Sequence, residues 1–166
     1  NLVTILYLPG TAIGLGLITI VGQCVGAGRL SEAKRYAKSL IGVNYAILLV
    51  LSSSMVLFSG ELVGIYRLSE QALRLSQELI TAHSIAMLVW PLAFTIPHTL
   101  RASLDATMAV SVFSMWTFRI GFAYLFVYIC KLGVMGIWYG MFIDWIFRAA
   151  VFSLRFKGFE KRAASV

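Results

Sequence analysis

Apolar residues run along this chain in blocks too long for a strand and too uniformly oily for a soluble helix. Five such blocks, at about residues 2–25, 33–59, 79–102, 106–130 and 133–156, can each cross a bilayer. The match is one of length: about 20 residues at about 1.5 Å each cover a hydrocarbon layer about 30 Å thick. Polar residues gather in the short gaps between blocks. The pattern predicts an all-α fold, a polytopic membrane helical bundle of five transmembrane helices over residues 1–156. A basic cytoplasmic tail at 157–166 follows.

Composition sharpens this reading. A chain that is 60% hydrophobic and only 13% charged has lipid as its main solvent. The net charge of +7 would otherwise suggest nucleic acid, but the positions of the charges argue against it. Arg29, Lys34, Arg35 and Lys38 lie between spans one and two, Arg101 between three and four, and Arg155, Lys157, Lys161 and Arg162 at or after the end of span five. With alternating spans these nine of the fourteen Lys and Arg residues share one side. The opposite loops hold Arg67, Arg74 and Lys131, diluted by Glu61, Glu70 and Glu78. Basic flanks stay in the cytoplasm, so the amino end is expected outside and the carboxyl end inside, in the plasma (inner) membrane. The excess charge is a topology signal, with anionic headgroups as a further partner and no nucleic acid.

The chain opens inside an apolar run, and Asn1–Pro9 carries no charge, which rules out a signal peptide and suggests a piece of a longer chain. Cys24 and Cys130 fall at opposite ends of their spans, so no disulfide is expected.

Glycine and proline punctuate the spans. Gly10 and Gly14, then Gly22 and Gly26, stand in G-x-x-x-G spacing in span one, and Gly133, Gly136 and Gly140 mark span five. Such sets clear a helix face for close packing, or make a flexible wall beside a cavity. Pro9 should kink the outer third of span one. The run from Gly22 to Gly28 lacks the strand-before-helix context of a phosphate cradle. Gly26 or Gly28 instead suits a left-handed helix cap, and Ser31 an N-cap for the next helix. Residues 60–78 read as an interfacial stretch leading into a helix that begins near Ser69. Pro91 and Pro97 should interrupt span three in mid-membrane.

Intramembrane polar residues carry the candidate chemistry. Arg119 lies mid-way in span four and Asp144 mid-way in span five, with Arg148 one turn further on. Such residues are costly in lipid and mark a partner or a pathway. Arg119 and Asp144 both lie about 16 Å below the turn joining their spans, and are expected to form an interhelical ion pair or share a bridging water, with Arg148 as competitor. Trp90, Trp116, Trp138 and Trp145 suit interface anchoring, packing or the wall of a cationic guest's site. His83 and His98 stand about 22 Å apart along one straight helix, too far to share a metal. With no H-E-x-x-H, nucleophile elbow or cysteine cluster, neither a catalytic residue nor a metal site is assigned.

Gly22-Gln23-Cys24-Val25-Gly26-Ala27-Gly28-Arg29 followed by Glu32-Ala33 resembles the G-Q-x-x-G-A-G-R…E-A signature of multidrug and toxic compound extrusion (MATE) transporters. Leu100-Arg101 with Asp105 resembles their L-R-a-x-x-D turn. Trp116 and Arg119, then Gly133, Gly136 and Trp138, then Asp144-Trp145 and Arg148 resemble the W-x-x-R, G-x-x-G-x-W and D-W-x-x-R pieces that close the family pattern. The resemblance implies helices eight to twelve of a twelve-helix antiporter, in its carboxyl-terminal lobe. The amino-terminal lobe would be a missing partner. It further implies export of small organic, often cationic, substrates against a Na+ or H+ gradient by alternating access, with Arg119, Asp144, Arg148, Trp90, Pro91 and Pro97 as pathway candidates and no other cofactor. The family's coupling carboxylates lie largely in helices outside this chain, and span three has no acid between Leu79 and Leu100. Two alternatives remain: a lipid-linked saccharide flippase of related architecture, and an integral subunit that transports nothing. Mid-membrane charges facing a wet cavity favour transport, and fully buried ones a static scaffold.

Overall fold

The computed structural model describes residues 2–66, 69–103 and 107–163, and these are overwhelmingly helical. Helix α1 (Leu2–Gly26) and helix α2 (Leu30–Leu57) form an antiparallel hairpin. A short helix α3 (Ser59–Gly64) leads to α4 (Glu70–Ala86), then a wide π-helical turn (Pro91–Thr95) and α5 (Ile96–Ala102). Helix α6 (Met108–Ser114) runs on through π-helical turns at Met115–Phe122 and Leu125–Ile129, and α7 (Gly133–Arg162) returns beside it.

Four of these stretches are long and apolar enough to cross a membrane, and α4 with Pro91–Ala102 makes a fifth span bent by 59°. The chain is an all-α polytopic membrane bundle. Leu57, Leu154 and Tyr128 are 79%, 68% and 68% exposed, a surface that only lipid or further protein can cover.

Local signals explain most boundaries. Gly28, at φ +73°, ends α1 in a Schellman motif. The Arg29 amide donates to the Cys24 carbonyl at 2.8 Å and the Gly28 amide to the Val25 carbonyl at 3.0 Å. The glycine cap expected there is present. The expected Ser31 cap is not, because α2 already starts at Leu30 after Arg29, without a side-chain cap. Ser69 does cap α4, its hydroxyl accepting from the Ala72 amide at 3.4 Å. The helix that carries span three therefore begins at Glu70, where the sequence placed its start, nine residues before the apolar block at 79. Pro9 lies inside α1, which is helical throughout. Helix α7 runs six residues beyond the expected span end at 156, since Phe159 and Ala163, 2% and 3% exposed, extend its apolar face.

The bent helix is the centre of the bundle. Two prolines explain the bend: neither can donate to the ladder, and each ring collides with the carbonyl four residues before it. The chain between Ala86 and Pro91 tightens to three-residue bonds, such as Trp90 amide to Met87 carbonyl at 3.1 Å. It then widens, with the Ile96 amide reaching the Pro91 carbonyl just before Pro97. A widened turn is the relief that a following proline needs.

Two apolar clusters fill the interior. One joins Leu17, Ala37, Ile96, Leu100 and Phe152 near the α1–α2 turn, and the other joins Leu6, Leu48, Met87, Trp90 and Trp145 at the opposite end. Glycines set the closest approaches. A Cβ at Gly140 would stand 2.9 Å from the Ala123 backbone nitrogen, and one at Gly136 would stand 3.0 Å from the Phe126 carbonyl carbon. A Cβ at Gly14 would stand 2.5 Å from the His98 ring, and one at Gly10 would overlap the Trp90 ring. Gly22 and Gly26 meet nothing within 4 Å, so the second G-x-x-x-G makes no close contact among the described residues.

This contrast is testable in detergent-solubilised full-length protein. Gly140→Ala is expected to lower stability by about 1–3 kcal/mol, because backbone must move. Gly22→Ala is expected to be neutral or to stabilise by up to about 1 kcal/mol through helix propensity. Equal thermal unfolding of the two variants would contradict this packing.

Candidate functional site in the membrane interior

The bend in span three gathers the buried polar groups around it. Asp144 and Arg148 stand one turn apart on α7, and the Arg148 Nε donates to Asp144 Oδ1 at 2.9 Å. Asp144 is fully buried and Arg148 is 8% exposed. A second guanidinium nitrogen of Arg148 donates to the Ser111 carbonyl of α6 at 3.0 Å, and the guanidinium carbon lies 5.6 Å from the Phe94 ring centre. One side chain thereby ties α7 to α6 and to the π-helical turn. The other carboxylate oxygen of Asp144 has no hydrogen-bond partner among the described residues.

The expected Arg119–Asp144 pair does not form. Equal depth was not enough, because the i, i+4 neighbour took the carboxylate. Arg119 approaches α7 with its main-chain carbonyl, 3.3 Å from where a Gly140 Cβ would stand, while its side chain is exposed. No ion pair of Arg119 exists among the described residues.

On the opposite side of the bend, the Asn44 side-chain amide donates to the Thr95 hydroxyl at 2.6 Å, with both residues fully buried. This contact joins mid-α2 to the wide turn. Sequence reasoning missed it, although an amide inside an uninterrupted apolar run at 41–51 was a readable signal. The Asn44 carbonyl oxygen points toward Gly10, at 3.1 Å from the position a Cβ would take.

Aromatic rings complete the neighbourhood. Trp90 stacks on Phe94 at 5.1 Å, and Phe94 meets Trp145 edge-on at 5.5 Å. His83 lies edge-on to Trp138 at 5.1 Å and to Trp145 at 5.4 Å, and neither of its ring nitrogens has a hydrogen-bond partner among the described residues. His98 instead packs against Gly14. The two histidines occupy separate surroundings. Trp90 and Trp145 are 5% exposed, whereas Trp116 is 63% exposed on the outer face. Cys24 is buried and Cys130 exposed, both free. Asp105, the last residue of the L-R-a-x-x-D resemblance, lies outside the described residues.

Known sequences place this bundle in a family. The MatE family profile matches residues 1–125. The chain belongs to the MatE family. This is a family of transporters, not enzymes, and its members are integral membrane proteins. The chain is 29% identical over 145 residues to a probable multidrug resistance protein NorM of Bacillus subtilis, covering 85% of this chain and 32% of that protein. It is 24% identical to the probable multidrug resistance protein YoeA of the same organism, covering 80% and 29%. It is 25% identical over 171 residues to a probable NorM of Thermotoga maritima, covering 98% and 36%. The chain thus spans about a third of the length of these relatives. No solved structure gives a significant match.

Arg148→Ala would strand a fully buried carboxylate, at an expected cost of about 3–5 kcal/mol. Replacing both members, as Asp144→Asn with Arg148→Met, should cost less than that single change, and Arg119→Ala should leave the melting temperature nearly unchanged. A thermal-shift series on the full-length protein checks the order. An unstable Arg119→Ala with a stable Arg148→Ala would reverse it.

Proposed function

We propose that this chain forms part of the carboxyl-terminal lobe of a cation-coupled antiporter. In this reading the protein exports small organic, often cationic, compounds by alternating access, driven by a Na+ or H+ gradient. The amino-terminal lobe of the same chain is its partner, and the helices sit in the plasma (inner) membrane with the carboxyl end in the cytoplasm.

One observation carries most of this reading. Arg119 sits mid-way along the least buried span and exposes its side chain. A guanidinium at mid-membrane depth is expensive against lipid, so this face belongs against water or another part of the protein. A water-filled space between two lobes supplies that environment. The proline bend supports the same reading, since a span already broken at Pro91 and Pro97 needs no further loss of hydrogen bonds to flex. The names of the relatives, probable multidrug resistance proteins, supply the substrate class. The sealed Asp144–Arg148 pair acts here as a fastening of the lobe, and Arg119 as the pathway-facing charge.

The full-length protein in liposomes, loaded with ethidium and given a Na+ or proton gradient, is expected to show gradient-driven efflux. Arg119→Ala should reduce that efflux by about tenfold, the size of one lost mid-membrane polar interaction, with melting unchanged. Arg119→Cys should react with a membrane-impermeant thiol reagent. Cysteines at Ser69 and Lys157 should label from opposite sides. An unreactive Arg119→Cys would place this face against lipid or sealed protein and remove the cavity. Failure of drug efflux together with accumulated lipid-linked saccharide in a deletion strain would assign the flippase activity instead.

A further inference from the structure

A groove of about 340 Å³ runs between α2 and α7, over the wide turn and the start of α5. Its floor is apolar, formed by Ile41, Leu92, Ile96 and Phe156. Gly42 lines it too, with nothing within 4 Å of where its Cβ would be, so the absent side chain leaves the channel open. Lys38 and Glu160 stand at one end, Lys157 lies three residues further in on α7, and Tyr45 and Ser153 line the groove seven residues from Lys38 and Glu160 respectively. Seven helical residues correspond to about 10 Å, a depth that stays within one leaflet of the hydrocarbon layer. Val43 and Leu154, beside the groove, are 47% and 68% exposed, so it opens on the apolar outer surface of the bundle.

The charged residues of the lining gather toward that end. Glu160 is held by Lys38, Nζ to Oε1 at 2.6 Å, and Lys34 donates to the Glu160 main-chain carbonyl at 3.5 Å. Lys157 is exposed and forms no ion pair among the described residues. Three lysines against one glutamate leave this end at a net charge of +2. An apolar channel one leaflet deep with a cationic mouth has the polarity of a single anionic lipid.

We propose that this groove binds one anionic phospholipid, its acyl chain along Ile41, Leu92 and Phe156 and its phosphate between Lys38 and Lys157. A zwitterionic headgroup brings its own cation to the lysines and gains less. An organic cation of the kind proposed for export is repelled by the same charges. The lipid rests on Lys38 and Lys157 and fastens α2 to α7 across the bend. The site is independent of the transport reading and stands or falls without it.

Native mass spectrometry of the full-length protein, released from micelles holding equal phosphatidylglycerol and phosphatidylcholine, reads the site directly. One phosphatidylglycerol is expected to be retained in preference to phosphatidylcholine. Lys38→Gln with Lys157→Gln should weaken that retention about 25-fold, which corresponds to about 1 kcal/mol per lysine near a headgroup. Gly42→Leu keeps every charge and fills the channel, and it should abolish retention while melting no lower than the parent. Equal retention of both lipids would overturn the proposal. So would phosphatidylglycerol held undiminished by Gly42→Leu, which would leave only general headgroup attraction. Stabilisation by inorganic phosphate alone, matching that by the lipid, would make this a free-anion site and overturn it as well.

Discussion

A backbone inside lipid has no water to turn to, and this constraint explains why the other helices are arranged as they are. Pro91 and Pro97 remove two donors from the same span, and the helix answers with tight turns, then a wide one, and a 59° bend. Such a segment cannot face hydrocarbon. It is accordingly wrapped by α1, α2 and α7. The wrapping helices are shaped for the task, because Gly10 and Gly14 cut a notch in α1 that admits Trp90 and His98 from either side of the bend. Packing in lipid gains little from the hydrophobic effect, so shape fit of this kind has to hold the helices together.

Polar fastenings add direction to that fit. Asn44 holds the wide turn from α2 through Thr95, and Arg148 reaches it from α7 over the face of Phe94. Arg148 also donates to the Ser111 carbonyl, so a single guanidinium joins three elements. The desolvation cost of a buried ion pair often cancels its Coulomb gain, so net stability is a poor reason for this pair. What it secures is geometry: an alternative packing that separated α7 from α6 would strand Arg148 and Asp144 together, an outcome that lipid penalises more than water does.

Much of this was legible from residue order alone. Span number, the Gly28 cap, the Ser69 start and the break at the prolines follow from one-dimensional signals: run length, a glycine after a helix, a capping hydroxyl, a missing amide. Glu70, Arg74 and Glu78 look too polar for a span, yet they belong to the same helix that carries it. They lie on the outermost turns of a helix that merely continues into the membrane. The proposed pairing of Arg119 with Asp144 failed for an angular reason. Depth along a helix can be counted, but the direction a side chain takes around it depends on what the neighbouring helix presents. Here Gly140 brings the backbones together and leaves the long Arg119 side chain outside.

The decisive angular information was nevertheless present in α7. Gly136, Gly140, Asp144, Arg148, Phe152 and Phe156 recur every fourth residue, and all six are buried. A spacing of four exceeds the helical repeat of 3.6, so each step rotates the stripe by about 40° around the axis. The stripe therefore cannot serve one neighbour along its whole length. Its first two members meet the backbone at Ala123 and Phe126, beside the turns that follow α6. Arg148 bridges α6 and the bend, and Phe152 and Phe156 close on Leu17, Ala37 and Ile41 of α1 and α2. Residue size follows the same order, from glycine where backbones touch to phenylalanine in the apolar cluster with α1 and α2. The change from small to charged to aromatic along one winding row lets the last helix close a bundle whose central helix is broken.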